Sequence, residues 1–427
     1  MIIYQVLPRL WGGGKFSDFG DAAFEYLRSL SVDAVWYTGV PRHSAGKSYT
    51  KGNAGSPYSI EDYRDVNPYL ADSPERRIEE FGALVSRTHA AGMKVFIDLV
   101  PNHASPDCRD VPLLGRYDFD WEDTRKIDYS RREAWDAMLG IVLFWAQRGV
   151  DGMRCDMVEL VPREFLGWLI SRVKEKYPNF VFIAEAYDRC NYRPLIEEAG
   201  FDLLYDKSGF YDIARAIISG RESARRLTSN WQELSRLQGN MLNFLENHDE
   251  QRIASPYFAG KPSKAYAALG YGALFNDASF MIYAGQELGE TASEGYEGRT
   301  SIFDFVKVRS LRCLHSFLDG KKPLAKTQSA VLQKYRNVLS YARQFGGRRN
   351  WDLCYCQSAE DGFDFDRHSA FLRFDAGSGA DAVLCNFSGS HARLRLRIPE
   401  ELQRNFGLKP YADVSAGAFD CSVVKIL

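Results

Sequence analysis

Residues 151–160 read DGMRCDMVEL, and the charged pair inside this stretch poses a chemical question. Arg154 and Asp156 stand two positions apart, so an extended backbone turns both to the same side. They end an apolar run, where buried charge is costly unless something uses it. Three other apolar runs finish the same way. FIDLVPNH ends in Asp98, Asn102 and His103, and FVFIAEAYD leads into Glu185. MLNFLENHDEQR supplies Glu246, Asn247, His248, Asp249 and Arg252. Singly, each residue has an ordinary reading: an ion pair for Arg154 and Asp156, a surface carboxylate for Glu185, satisfied polar histidines for His103 and His248. Jointly they suit two chemistries, binding of a divalent metal or cleavage of a glycosidic bond. The second needs one carboxylate as nucleophile and one carboxylic acid as proton donor. An adjacent cation lowers a carboxylate pKa, so Asp156, beside Arg154, suits the nucleophile. Glu185 follows apolar VFIA and lacks an adjacent base, which suits the acid, whose pKa must rise.

Such clusters need a frame that gathers distant segments. Short apolar runs alternate with helical patterns from the start: IIYQVL and DAVWYTGV as strands with FGDAAFEYLRSL between them, then MKVFIDLV, VDGMRC, FVFIAEA, FDLLYD, NMLNFLEN and SFMIYAGQE. MKVFIDLV is nearly all apolar, as a strand buried on both faces should be. The helix opening SRREAWDAML carries a capping-box pattern, Ser130 with Glu133. About eight strand–helix units predict an α/β fold, a closed (β/α)8 barrel spanning residues 1–345. An open doubly wound sheet is the alternative, but no GxGxxG follows an early strand. In a barrel all the strand ends above fall on one face, where active sites of this fold are built. Residues 104–127 fit neither pattern and read as a long functional loop after the third strand. Residues 346–427 contain DLCYCQ, SAFLRFD, DAVLCNFSG and ARLRLRIP, read as short alternating strands of a C-terminal antiparallel β-sandwich.

The 427 residues are 45% hydrophobic and 26% charged, the texture of a soluble globular protein. A net charge of −2 gives no reason to expect nucleic acid or an anionic membrane as partner. No apolar run reaches bilayer-spanning length. MIIYQVLPRL lacks the basic and apolar regions of a signal peptide, so a cytoplasmic location is expected. The eight cysteines show no CxxC spacing and are expected as free thiols. Cys354 and Cys356 in LCYCQ read as one face of one strand.

With these segments side by side, the chain resembles the α-amylase family, glycoside hydrolase family 13, over nearly its whole length. DLVPNH, GMRCDMVE, FIAEAYD and FLENHDE resemble that family's four conserved regions in order, supported by IYQVLPR, SPYSIEDYRDVNPYL, MIYAGQELGE and RTSIFDF. The resemblance implies that Asp156 is the nucleophile of a retaining mechanism, Glu185 the general acid/base and Asp249 a third carboxylate holding the sugar's hydroxyls. It implies that Arg154 orients Asp156, that His103 and His248 hydrogen-bond the same sugar, and that Tyr58 stacks beneath it. Asp98 and Asp62 become supporting residues, Arg252 pairs near the site, and residues 104–127 are a shortened domain B. Secreted α-amylases carry a small residue directly after the nucleophile and a lysine–histidine pair at the third and fourth positions beyond it; here stand Met157, Glu159 and Leu160. That departure and the short excursion argue against the family's structural calcium, Asn102 notwithstanding, and no other cofactor is expected. The implied partner is an α-glucan or oligosaccharide, with oligomeric state open. Hydrolysis of α-glucans is the leading expectation; glucosyl transfer, exo-acting α-glucosidase action, a non-catalytic carbohydrate-binding relative and metal-dependent chemistry at Asp98, Glu185 and Asp249 are the alternatives.

Overall fold

The computed structural model describes residues 1–427 except 116, 118–120, 277, 293–297, 345–348 and 376–378. The expected boundary between residues 345 and 346 therefore lies outside the described residues, as does part of the 104–127 excursion. Among the described residues, eight parallel strands close a barrel: β1 (Ile2–Val6), β2 (Ala34–Tyr37), β3 (Lys94–Leu99), β4 (Gly152–Cys155), β5 (Val181–Ala184), β6 (Leu203–Tyr205), β7 (Met241–Phe244) and β8 (Ser279–Tyr283). Each pairs with its neighbours in sequence, and β8 returns to β1 with Ile3 opposite Met281. This is the (β/α)8 barrel expected from the alternating pattern.

The two faces of each strand explain why the runs look uniformly apolar. Ile3, Trp36, Phe96, Ile183, Tyr205, Leu242, Phe244 and Met281 fill the barrel interior. Tyr4, Val35, Ile97, Met153, Phe182 and Ile282 join the larger core under the helices. Both faces are thus removed from water, and strand ends alone are left for polar side chains.

Local capping signals are overridden where the strand period is not. The helix after SRREAW spans Arg132–Ala146 without a side-chain cap at its N-terminus, and the Ser130 hydroxyl donates to Asp128 Oδ1 at 2.6 Å instead. The Ser130–Glu133 capping box does not form because the helix begins one residue late for it, with Arg131 at the N-cap and Glu133 at the second helical position. The excursion holds a small antiparallel pairing, His103–Ala104 with Arg125–Lys126, so it is tethered at its base.

Beyond the barrel, a four-stranded antiparallel sheet (Arg349–Asp352, His368–Asp375, Gly379–Asn386, Cys421–Lys425) and the pair Ala392–Arg397 with Tyr411–Ala416 share a core including Leu372, Leu384, Leu394 and Val414. In Ala392–Arg397 burial alternates strictly, with arginines on the wet face. Cys354–Cys356 is a short 3-10 turn rather than the expected strand, with the Asp352 carboxylate accepting the Cys354 N–H at 2.7 Å. The eight cysteines are free thiols. Among the described residues no helix is long and apolar enough to cross a membrane.

Candidate active site

Alternation along β3, β4 and β5 sends Asp98, Arg154 and Glu185 to the inner face, one step above the side chains that fill the barrel. Met153 and Cys155 pack outward, so Gly152 and Arg154 face the axis. A Cβ on Gly152 would come within 2.5 Å of the Val181 carbonyl oxygen and 2.9 Å of the Phe96 ring. Only glycine lets β4 lie this close to its neighbours directly below Arg154.

Arg154 is fully buried, with the Trp36, Tyr58 and Tyr205 rings 5.6, 5.3 and 5.6 Å from its guanidinium. Its Nη1 donates to Asp156 Oδ1 at 2.6 Å and lies 3.9 Å from Asp98 Oδ1. Its Nη2 makes an ion-pair contact with Glu185 Oε1 at 2.5 Å, close but not aligned as a hydrogen bond. The expectation that Glu185 lacks an adjacent base is thereby corrected. Arg154 stands opposite Ile183 on the neighbouring strand, a cross-strand neighbour that local sequence does not reveal. The guanidinium thus lies among the carboxylates of Asp98, Asp156 and Glu185.

Burial, more than charge, sets the protonation of this group. Asp156 is held above the ordinary carboxylate value because desolvation outweighs Arg154, the reverse of the lowering expected from the Arg154 neighbour. Glu185 is pushed up to about 7, first by burial, with Arg154 opposing and the Asp156 charge adding. Asp249 also rises to about 7 through burial and the charge of Glu185, and Asp98 to about 6 through burial. Burial lowers His103 to about 4, and burial with Arg154 holds His248 below its usual range, so both imidazoles are neutral at pH 7.

The remaining expected residues gather here as well. His248 Nε2 lies 3.1 Å from Asp249 Oδ2 and meets the Tyr58 hydroxyl, whose ring stacks on the imidazole at 5.4 Å. Asp249 N–H donates to Asn247 Oδ1 at 3.0 Å, which fixes the turn after β7. Arg252 donates to Glu246 at 2.8 Å, a buried pair just behind. Asp62 stays outside; its carboxylate accepts the Arg64 N–H at 2.9 Å.

Asp156, Glu185, Asp249, Tyr58 and His103 line one cavity of about 470 Å³. Its size suits a small-molecule ligand. Asp156 Oδ2 is buried and has no hydrogen-bond partner in the protein, so the carboxylate offers one oxygen to a ligand. Met157 adopts a left-handed backbone, φ 47°, which costs a side-chain-bearing residue about 1–3 kcal/mol. The turn lets its N–H donate to Glu185 Oε2 at 2.8 Å.

Sequence reasoning missed several contributors. The Tyr187 hydroxyl donates to Glu185 Oε1 at 2.9 Å; its place two residues beyond Glu185 was the available signal. Gln5 Nε2 meets His248 Nδ1 at 2.7 Å from the end of β1. Glu159 accepts the N–H groups of Tyr187 and Asp188, both at 2.9 Å, and so ties the turn after β4 to the turn after β5. It is a brace between loops, while Leu160 beside it is exposed at the cavity wall.

A family model for the α-amylase catalytic domain matches residues 7–111. An α-1,4-glucan:maltose-1-phosphate maltosyltransferase of Cereibacter sphaeroides is 29% identical over 243 residues, covering 47% of this chain and 39% of that protein. An α-amylase of Haloarcula japonica is 25% identical over 316 residues, covering 68% of this chain and 44% of its own. The solved structure of an α-amylase from Lactobacillus plantarum superposes with a TM-score of 0.71 at 23% identity, covering 100% of this chain and 98% of that one. The chain is thus similar to the α-amylase family, by the family model over residues 7–111 and by fold over its whole length. It spans less than half the length of the two curated relatives named above.

Similarity to the α-amylase family raises the question of a structural calcium near Asn102. Asn102 Oδ1 is buried and unpartnered, while its Nδ2 donates to the Tyr117 hydroxyl at 2.6 Å. Calcium takes about 6–8 oxygen ligands, carboxylates prominent among them. Among the described residues no group of three Asp, Glu, His or Cys side chains is arranged to hold a metal. The sequence expectation of no bound calcium predicts that exhaustive chelation leaves Tm unchanged in a calorimetric scan. An ion bound at a hundred times its Kd would contribute about 2.7 kcal/mol, so a drop of several degrees would overturn this expectation.

Proposed function

We propose that the protein is a retaining α-glycoside hydrolase acting on α-glucans or maltooligosaccharides. The observation that carries the proposal is the unpartnered Asp156 Oδ2 in the same cavity as a glutamic acid pushed up to about 7. In this reading Glu185 delivers its proton to the departing glycosidic oxygen while Asp156 Oδ2 attacks the anomeric carbon. The resulting glycosyl ester is cleaved by water, from which Glu185 takes the proton back. Two inversions give net retention. A retaining pair sits about 5–5.5 Å apart, and one guanidinium bridging both carboxylates favours the short spacing. Arg154 orients Asp156, Asp249 holds the hydroxyls of the reacting sugar, His103 bonds the same ring and Tyr58 stacks on it. His248, whose ring nitrogens face Gln5 and Tyr58, positions Tyr58 and Asp249 from behind.

Transfer to a sugar acceptor instead of water uses the same site, and the maltosyltransferase name of one relative favours weighing it. Incubation with starch, pullulan, maltotriose, trehalose and sucrose tests both readings. Glucose and maltose alone from maltotriose are expected for hydrolysis. Oligosaccharides longer than maltotriose would replace it with transfer, and no product from any α-glucan would overturn the proposal.

A further inference from the structure

Three segments far apart in the chain meet at one wall of the cavity. Lys51 comes from the connection after β2, Asp123 and Thr124 from the excursion after β3, and Phe303 from the segment after β8. Lys51 Nζ lies 3.2 Å from Asp123 Oδ1, with the Trp121 and Phe303 rings 5.1 and 5.8 Å away. Asp123 is 1% exposed and Thr124 3%. Yet both Asp123 oxygens and the Thr124 hydroxyl lack a hydrogen-bond partner in the protein. Asp123 Oδ1 is ion-paired with Lys51, but Asp123 Oδ2 and the Thr124 hydroxyl have no partner of either kind. Buried polar atoms are nearly always hydrogen-bonded, so these two oxygens on adjacent residues beside one cavity ask for a ligand that can donate.

We propose that Lys51, Asp123 and Thr124 form a terminal pocket for the unsubstituted non-reducing end of the substrate, making this an exo-acting enzyme on short α-glucans. The inference rests on the glycosidase reading above. Tyr187, Met157 and Glu159 touch Glu185 or brace its loop, so they mark the side from which the leaving group departs. The Lys51–Asp123 pair belongs instead to the His103 wall, where Trp121 meets the His103 ring at 5.7 Å. A polymer threaded past the reacting sugar would have to cross a salt bridge that joins two loops. A chain end need not. The carboxylate accepts from two neighbouring hydroxyls and the ammonium donates to one of them, a match to a terminal diol. The same carboxylate repels a phosphate group, so a neutral sugar end is the favoured occupant.

The test compares nitrophenyl α-maltotrioside with the same compound carrying an ethylidene block on its terminal ring. Wild-type kcat/KM is expected to favour the free end by about a hundredfold or more, because a site built around hydroxyls rejects an analogue lacking them. Asp123→Asn keeps the side-chain shape, and it should raise KM for the free end about tenfold with little change in kcat, narrowing the preference. Lys51→Met should narrow the same ratio and serves if the first variant fails to fold. Equal cleavage of both compounds by the wild type, or an intact preference in both variants, overturns the terminal pocket while leaving the glycosidase reading standing. Cleavage of neither compound overturns both.

Discussion

Asp156→Asn is expected to lower kcat/KM on maltooligosaccharides by roughly 10⁴-fold or more, the scale on which single nucleophile deletions act in enzymes of covalent mechanism. The amide keeps the shape of the carboxylate, and its oxygen can still accept from Arg154 Nη1, now at 2.6 Å from Asp156 Oδ1. Glu185, at 2.5 Å from Nη2, still partners the buried guanidinium, so the fold should persist with an unchanged far-UV spectrum. What is lost is the charge on Oδ2, the oxygen with no protein partner. Asp156→Ala sharpens the test, because it leaves room for a small anion. Azide should restore turnover of an activated aryl glycoside and yield a glycosyl azide of inverted configuration. Retention of even a tenth of wild-type activity in Asp156→Asn, or rescue without inversion, would remove Asp156 from the nucleophile role.

That residue and its neighbours were legible in the sequence because a strand's period is fixed. Once DGMRCD is extended, Arg154 and Asp156 must share a face, and once eight such strands close, their ends must converge. The same logic placed Asp98, Glu185, His248 and Asp249. It fails wherever the deciding neighbour lies on another strand. Arg154 touches Glu185 across the β4–β5 pair, and no inspection of VFIAEA alone could supply that contact. The protonation of Asp156 was misjudged for a related reason: residue types reveal the charge next door but not the depth of burial, and burial won. Lys51 and Asp123 were invisible for a third reason, because they sit on connections without period. The Cys354–Cys356 turn shows the opposite failure, an alternating apolar pattern overridden when Asp352 caps the chain with its side chain.

Glu185→Gln yields the other large effect, and pH is its clearest readout. For glycosyl transfer to Asp156 the acid must be protonated, so kcat/KM falls as pH rises through the Glu185 value of about 7. Asp156 must be ionised, so the rate also falls on the acid side, at a pH above the ordinary aspartate value near 3.9 because burial raises it. The wild type should therefore show a bell with its maximum on the acid side of neutrality. In Glu185→Gln the alkaline limb should vanish, since no proton remains to be lost there. A positioned general acid contributes about 10²–10⁴-fold, so unactivated maltooligosaccharides should lose that much in kcat/KM. Glucosyl fluoride, whose leaving group needs no proton, should lose little. Its glycosyl ester should then accumulate, because the second step needs the Glu185 carboxylate as base, and mass spectrometry of the quenched protein would show Asp156 carrying one sugar. Equal losses on both substrates, or an alkaline limb that survives in the variant, would transfer the proton-donor role to another group; Asp249, also near 7, is the one to examine next.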